Sequence, residues 1–175
     1  MSLTRVLITG CSGTGKSTLL ADMAERGYEV RREPGRRVIR AETRMGGTGL
    51  PWQDMAHFAR LCLKMAAADW EEARAGAVVF DRGVIDAALA LEREGFEVEA
   101  EAALQAYRYD IVVLAAPWPA LFERDEDRRH GLHEAEAEFD HIARRLPDLG
   151  YAPLDLPQGT QAARADWLED VIRAA

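Results

Sequence analysis

The sequence predicts an α/β protein built in three layers, a mostly parallel five-stranded sheet with helices over both faces. Three observations lead there. Five short segments rich in apolar and β-branched residues alternate with longer stretches of helical periodicity. Two of them, Ala77-Val78-Val79-Phe80 and Ile111-Val112-Val113-Leu114, show no polar alternation, which is how strands buried on both faces of a parallel sheet read. The first segment, Arg5-Val6-Leu7-Ile8-Thr9, passes through a glycine-rich turn straight into a helical stretch, the strand-to-helix unit from which such sheets are assembled.

Each element follows from local chemistry. After Gly10 to Thr18, residues Leu19, Leu20, Ala21, Met23 and Ala24 carry the first helix, and Gly27 ends it. Tyr28 to Arg32 reads as the second strand, closed at Glu33-Pro34-Gly35 because a residue before proline favours extended geometry. Arg36, Arg37 and Arg40 fall on a short helix, and Met45-Gly46-Gly47-Thr48-Gly49 is expected to be a flexible connection. A long helix is expected from Pro51 to about Arg74, with Pro51 in its first turn and Met55, Phe58, Cys62, Met65 and Ala66 towards the core. The third strand, Ala77 to Phe80, runs into Asp81-Arg82-Gly83; helix resumes at Val84, breaks at Gly95 and continues through Tyr107. The fourth strand, Ile111 to Leu114, is closed by Pro117 and Pro119. A charged stretch from Glu123 to His130 leads into a helix reaching about Leu146. Tyr151 to Leu156 is the fifth strand, placed at an edge by Pro153. Gln158-Gly159 turns the chain into a final amphipathic helix bearing Trp167, Leu168, Val171 and Ile172.

At 175 residues the chain is expected to form a single domain over 1–175, and 48% hydrophobic residues suit a folded core. A net charge of -8 argues against a nucleic-acid partner. No apolar run approaches the ~20 residues of a membrane span, so no membrane partner is expected. With no leader segment after Met1, and with Cys11 and Cys62 read as reduced thiols, a cytoplasmic protein is expected.

The glycine-rich turn carries the chemistry. Gly10, Gly15, Lys16 and Ser17 match the phosphate-binding P-loop pattern at every fixed position, with Cys11, Ser12, Gly13 and Thr14 between them and Thr18 following. Glycines let successive N–H groups curl around a phosphate, and the helix N-terminus adds positive potential. Lys16 is expected to reach the β- and γ-phosphates of a nucleoside triphosphate, and Ser17 to hold Mg²⁺. Asp81, ending an apolar strand, is expected to reach that metal directly or through water, the alternative being a solvated loop carboxylate. Arg82 either pairs with Asp81 or binds the acceptor. Glu33, at another strand end, either positions and deprotonates an acceptor hydroxyl or pairs with Arg31 or Arg36. Arg124, Arg128 and Arg129 offer charge to fold over bound phosphates, or pair with the acidic residues among them. His130, His133 and His141 lack the spacing and the cysteine partners of a zinc site. Because ligands of parallel sheets bind beyond the carboxyl ends of the strands, one pocket is expected there.

Together these pieces resemble the P-loop nucleoside and nucleotide kinases. More narrowly, Asp81-Arg82-Gly83-x-x-Asp86, Arg108-Tyr109-Asp110, Pro117-Trp118-Pro119 and Leu149-Gly150-Tyr151 are similar to the AAA-domain-labelled P-loop family that includes nicotinamide riboside kinase domains. The resemblance implies a P-loop NTPase fold of nucleoside-kinase type, with ATP and Mg²⁺ as cofactors and an acceptor bearing a hydroxyl. It makes Glu33 of the Glu-Pro pair the base, and Arg124 and Arg128 the arginines of a lid spanning about 117–133. Arg36, Arg82 and Asp86 fall on the substrate side, although Asp86 is equally placed to cap a helix start. At 175 residues neither the helical lid domain nor the intersubunit arginine elements of the mechanical AAA machines are expected, so a mechanical role is not expected. The competing class is a nucleotide-operated switch or slow NTPase that acts through a protein partner.

Overall fold

The central strand, β1 (Leu3–Gly10), shows why this chain makes a parallel sheet. Its Val6, Leu7 and Ile8 are each 0% exposed, so side chains pointing to opposite faces are buried alike. The computed structural model describes residues 3–118 and 132–175. Among them the strands are β1, β2 (Glu29–Arg31), β3 (Gly76–Asp81), β4 (Ile111–Ala115) and β5 (Leu154–Asp155). Their order is β2-β3-β1-β4-β5, and every adjacent pair is parallel. The helices are α1 (Lys16–Glu25), α2 (Pro34–Met45), α3 (Met55–Glu72), α4 (Val84–Arg93), α5 (Glu97–Ala106), α6 (Leu132–Asp148) and α7 (Gln161–Ala174). None of the described helices is long and apolar enough to cross a membrane.

The chain folds into two compact units. The first, Met1–Arg31 with Ala75–Asp81 and Tyr109–Ala175, holds the whole sheet together with α1, α6 and α7. Its core joins Val6, Ile8, Val79 and Val113 of the strands to Leu19, Leu20 and Met23 of α1 and Ala165 and Leu168 of α7. Edge strand β5 is only two residues long and begins just after Pro153, which cannot donate to a ladder. The expected fifth strand from Tyr151 to Leu156 is shortened accordingly.

The second unit, Arg32–Arg74 with Arg82–Arg108, comprises α2 to α5. Val38, Cys62 and Ala87 form its buried centre, with Phe58, Leu61, Leu63 and Met65 packed against them. Three expectations change here. The helix after Pro34 is not short but runs the twelve residues of α2, with Pro34 in its first turn and Gly46 as a left-handed C-cap at φ 68. The long helix α3 starts at Met55 rather than Pro51, because the Asp54 carboxylate accepts from the His57 N–H at 2.9 Å and caps it. Pro51 falls instead in a turn closed by Gln53 and Asp54 N–H groups on the Leu50 carbonyl. Finally, the glycine-rich connection is organised by Glu42, whose buried carboxylate accepts from the Gly49 N–H at 2.8 Å.

Candidate functional site

The turn after β1 is shaped by close packing against the end of β4. Gly10 has φ 109, and a Cβ there would meet the Ala115 carbonyl oxygen at 2.5 Å and its nitrogen at 2.8 Å. Only glycine fits. The Cys11 N–H donates to the Ala115 carbonyl at 2.8 Å, which ties the loop to the sheet. Inside the loop the Cys11 carbonyl is a hub, accepting from Thr14 Oγ1 at 3.1 Å and from Lys16 Nζ. The Cys11 thiol is fully buried. Lys16 and Thr14 are also buried, at 6% and 2% exposure. Helix α1 begins at Lys16 with Gly15 as its left-handed N-cap, so its first N–H groups open towards the loop.

Asp81 reaches this loop through strand register. Ile8 of β1 pairs with Asp81 of β3, so the carboxylate lies beside the end of the strand that feeds the turn. Ser17 Oγ donates to Asp81 Oδ2 at 2.7 Å, and Asp81 is 1% exposed. A hydroxyl oxygen and a carboxylate oxygen held side by side are the hard donors that Mg²⁺ accepts.

A third group meets the loop from α7. Arg164, 5% exposed, donates from Nη2 to the Thr14 carbonyl at 2.8 Å. Its guanidinium also lies over the Trp118 ring, 5.6 Å from the centroid. Burial lowers its pKa. One turn earlier, Gln161 Nε2 donates to the Thr18 carbonyl at 3.4 Å. Arg26, at the end of α1, bonds Asp166 at 2.7 Å and Glu169 at 2.9 Å. Helix α7 is thereby fastened to both α1 and the loop.

The second unit holds the remaining candidates in one ionic cluster. Glu33, the N-cap residue of α2, faces Arg36 Nε at 3.3 Å and Arg82 Nε at 3.6 Å. Arg82 Nη1 also donates to Asp86 Oδ1 at 3.1 Å. Asp86 Oδ2 accepts from the Gly83 N–H at 3.0 Å and so caps the start of α4. Of the two roles open to Asp86, the capping one is therefore realised. Glu33 takes Arg36 from its two expected partners, since Arg31 pairs with Glu29 at 2.6 Å. Among the described residues Arg82 is the non-glycine residue with positive φ, at 57, a strained conformation held by its ion pairs. Cys62 lies under the cluster, where burial first and then the Glu33 charge push its thiol pKa well above the usual range.

A family model described as an AAA domain matches residues 5–164. The chain belongs to that family. No curated protein matches the sequence. Among solved structures, the AAA-domain chain is similar to the NadR protein in complex with NR, at TM-score 0.70 and 18% identity. That match covers 98% of this chain but 50% of the NadR chain, so this chain spans half the length of that relative. It is also similar to deoxyadenosine kinase from M. mycoides, at TM-score 0.69 and 12% identity over 98% of this chain and 100% of that one. A third likeness is to shikimate kinase from Acinetobacter baumannii, at TM-score 0.60 and 15% identity over 98% and 94% of the two chains. At these identities the likeness establishes the fold, that of the P-loop kinases.

Within this AAA-domain chain the sequence-predicted residues stand in two groups. Gly10, Ser12, Gly13, Thr14, Gly15, Lys16, Ser17 and Thr18 form the loop and helix start of the first unit, together with Asp81. Glu33, Arg36, Arg82 and Asp86 form the cluster of the second. Arg124 and Arg128, with Arg129 and His130, lie outside the described residues. Sequence reasoning missed Arg164. A signal was present, because Arg164 precedes Leu168 by one helical turn and so falls on the apolar face of its helix.

Proposed function

We propose that this AAA-domain protein is an ATP-dependent phosphotransferase that carries the γ-phosphoryl group to a hydroxyl of a small, nucleoside-like acceptor. The observation that carries the reading is the Ser17–Asp81 hydrogen bond of 2.7 Å at the foot of a complete P-loop. It brings the hydroxyl and the strand-end carboxylate of a nucleotide-dependent phosphotransferase together from distant parts of the chain. The similar structures hold small molecules, NR in the NadR protein and shikimate in shikimate kinase, which supports a small-molecule acceptor.

In this mechanism the loop N–H groups and the start of α1 hold the polyphosphate, and the Lys16 ammonium leaves the Cys11 carbonyl for the β- and γ-phosphate oxygens. Ser17 Oγ and the Asp81 carboxylate would hold Mg²⁺, which when bound neutralises charge on those phosphates. Glu33 orients the acceptor hydroxyl and takes its proton as the hydroxyl oxygen bonds to the γ-phosphorus. The bond from that phosphorus to the β–γ bridging oxygen breaks, and ADP leaves. Arg82 and Arg36 hold the Glu33 carboxylate in place for that task.

The test is ADP release by the wild type across nucleosides, sugars and other hydroxylated small molecules, with Lys16→Ala as control. At least one compound is expected to raise turnover and to be recovered as its phosphate ester, and Lys16→Ala is expected to bind ATP at least 10-fold more weakly, as loss of a buried charged donor implies. If no compound in a broad panel raises turnover while ATP still binds, the protein is a switch or slow NTPase. Equal ATP affinity in the wild type and Lys16→Ala removes the nucleotide site itself.

A further inference from the structure

A glycine-rich loop binds phosphate only if its peptide N–H groups face inwards, and glycine is the residue least able to hold them so. Thr14 is where the loop backbone is least constrained, because it lies between Gly13 and Gly15, both at φ 76. Its carbonyl and the Gly15 N–H belong to one planar trans peptide and point in opposite directions. A donor that holds the Thr14 carbonyl on the outside therefore turns the Gly15 N–H to the inside. Arg164 is that donor, at 2.8 Å.

The group is also unusual as a charge. Arg164 is 5% exposed, and among the described residues no carboxylate forms an ion pair with it. Its Nε is buried with no hydrogen-bond partner among the described residues. Its other neighbour is an aromatic face, Trp118. Burying a cation without an anion is costly, and a chain that keeps one behind a phosphate-binding turn gains from it only when an anion arrives.

We propose that Arg164 is a positioning residue for the phosphate loop, one that sets the Thr14–Gly15 peptide and lends the site a positive charge that bound polyphosphate balances. The proposal rests on the reading of Gly10–Thr18 as a nucleotide site. It places Arg164 behind the loop, in contact with protein and not with the nucleoside. The ligand chemistry it serves is the polyphosphate itself, whatever base is attached.

The experiment compares wild type, Arg164→Met and Arg164→Lys by titration calorimetry with Mg²⁺ present. Two probes are used, a non-hydrolysable ATP analogue and inorganic tripolyphosphate. Loss of a buried charge-assisted hydrogen bond predicts ~10–100-fold weaker binding in Arg164→Met, equal for both probes. Arg164→Lys keeps the charge but not the planar donor, so a smaller loss of about 3–10-fold is expected, a partial rescue that mere packing would not produce. Trp118 emission should change on binding in the wild type and change less in Arg164→Met. Thermal melting establishes that each variant is folded. If Arg164→Met does not fold, Arg164→Lys decides. Affinities within twofold of wild type overturn the proposal. So does a loss confined to the nucleotide with tripolyphosphate unaffected, which would put Arg164 on the base. If the wild type binds neither probe, the nucleotide-site reading fails and the proposal falls with it; a normal wild type beside indifferent variants condemns Arg164 alone.

Discussion

Replacing Glu33 by Gln separates a base from a structural ion pair, because the two roles predict losses of different size in different assays. Gln keeps the length and hydrogen-bonding reach of Glu33 but removes its charge and proton affinity. The structural loss can be bounded from the contacts. Glu33 faces two guanidinium groups, at 3.3 and 3.6 Å, and its side chain is 23% exposed. Partly solvated pairs of that kind contribute about 0.2–1 kcal/mol each. Two of them bound the loss at about 2 kcal/mol, a fall in melting temperature of at most ~4–8 °C for a chain of this size. A domain with the ordinary ~5–15 kcal/mol of stability stays folded at 25 °C. Loss of a general base costs ~10²–10⁴-fold in rate, which is about 3–5 kcal/mol of barrier at 1.36 kcal/mol per decade. The assay is the initial rate of ADP formation at saturating ATP, with and without the acceptor identified in the panel, beside calorimetric ATP affinity. Acceptor-dependent turnover is expected to collapse, while ATP affinity changes less than threefold and background hydrolysis is nearly unaltered. If the variant responds to acceptor as well as the wild type does, the base assignment is wrong and Glu33 is only an ion-pair partner.

Two further outcomes follow from packing and burial. Gly10→Ala puts a methyl group against the Ala115 backbone at 2.5 Å and φ 109; it should lower unfolding free energy by about 2–5 kcal/mol, and denaturant melts showing less than about 1 kcal/mol would refute the close approach. The buried Cys62 thiol has its pKa raised in the fold, so its stabilising contribution is complete below the unfolded thiol value of ~8.5 and is lost as pH rises above it. Stability should therefore fall more steeply from pH 8 to 10 in the wild type than in Cys62→Ala, and parallel profiles would count against that burial.

Local chemistry was enough for much of this. The apolar runs of β3 and β4, the glycine-rich turn after β1 and the break at Gly95 between α4 and α5 were all legible, because each depends on residues a few positions apart. Helix starts were harder. Pro51 looked like a first-turn proline, yet the side-chain cap at Asp54 won the start of α3 by satisfying the His57 N–H. The Gly46–Gly49 stretch looked loose because nothing local announces that a carboxylate seven residues back will bind its backbone.

The sequence by itself determined the glycine-rich turn after β1, since the pattern Gly10, Gly15, Lys16 and Ser17 lies within a few consecutive residues. It also determined that the sheet is parallel, because strands without polar alternation must be buried on both faces. Only the tertiary structure decided which side chains meet. The order β2-β3-β1-β4-β5 sets Asp81 beside Ser17, 64 positions away in the chain. It likewise took the packing of α7 on α1 to deliver Arg164 to Thr14 across 150 positions. Such pairs carry no local pattern. They form because burying strand and helix faces together gains enough apolar contact to offset the ordering of the long chain between them, and the polar partners come along with the faces they stand on.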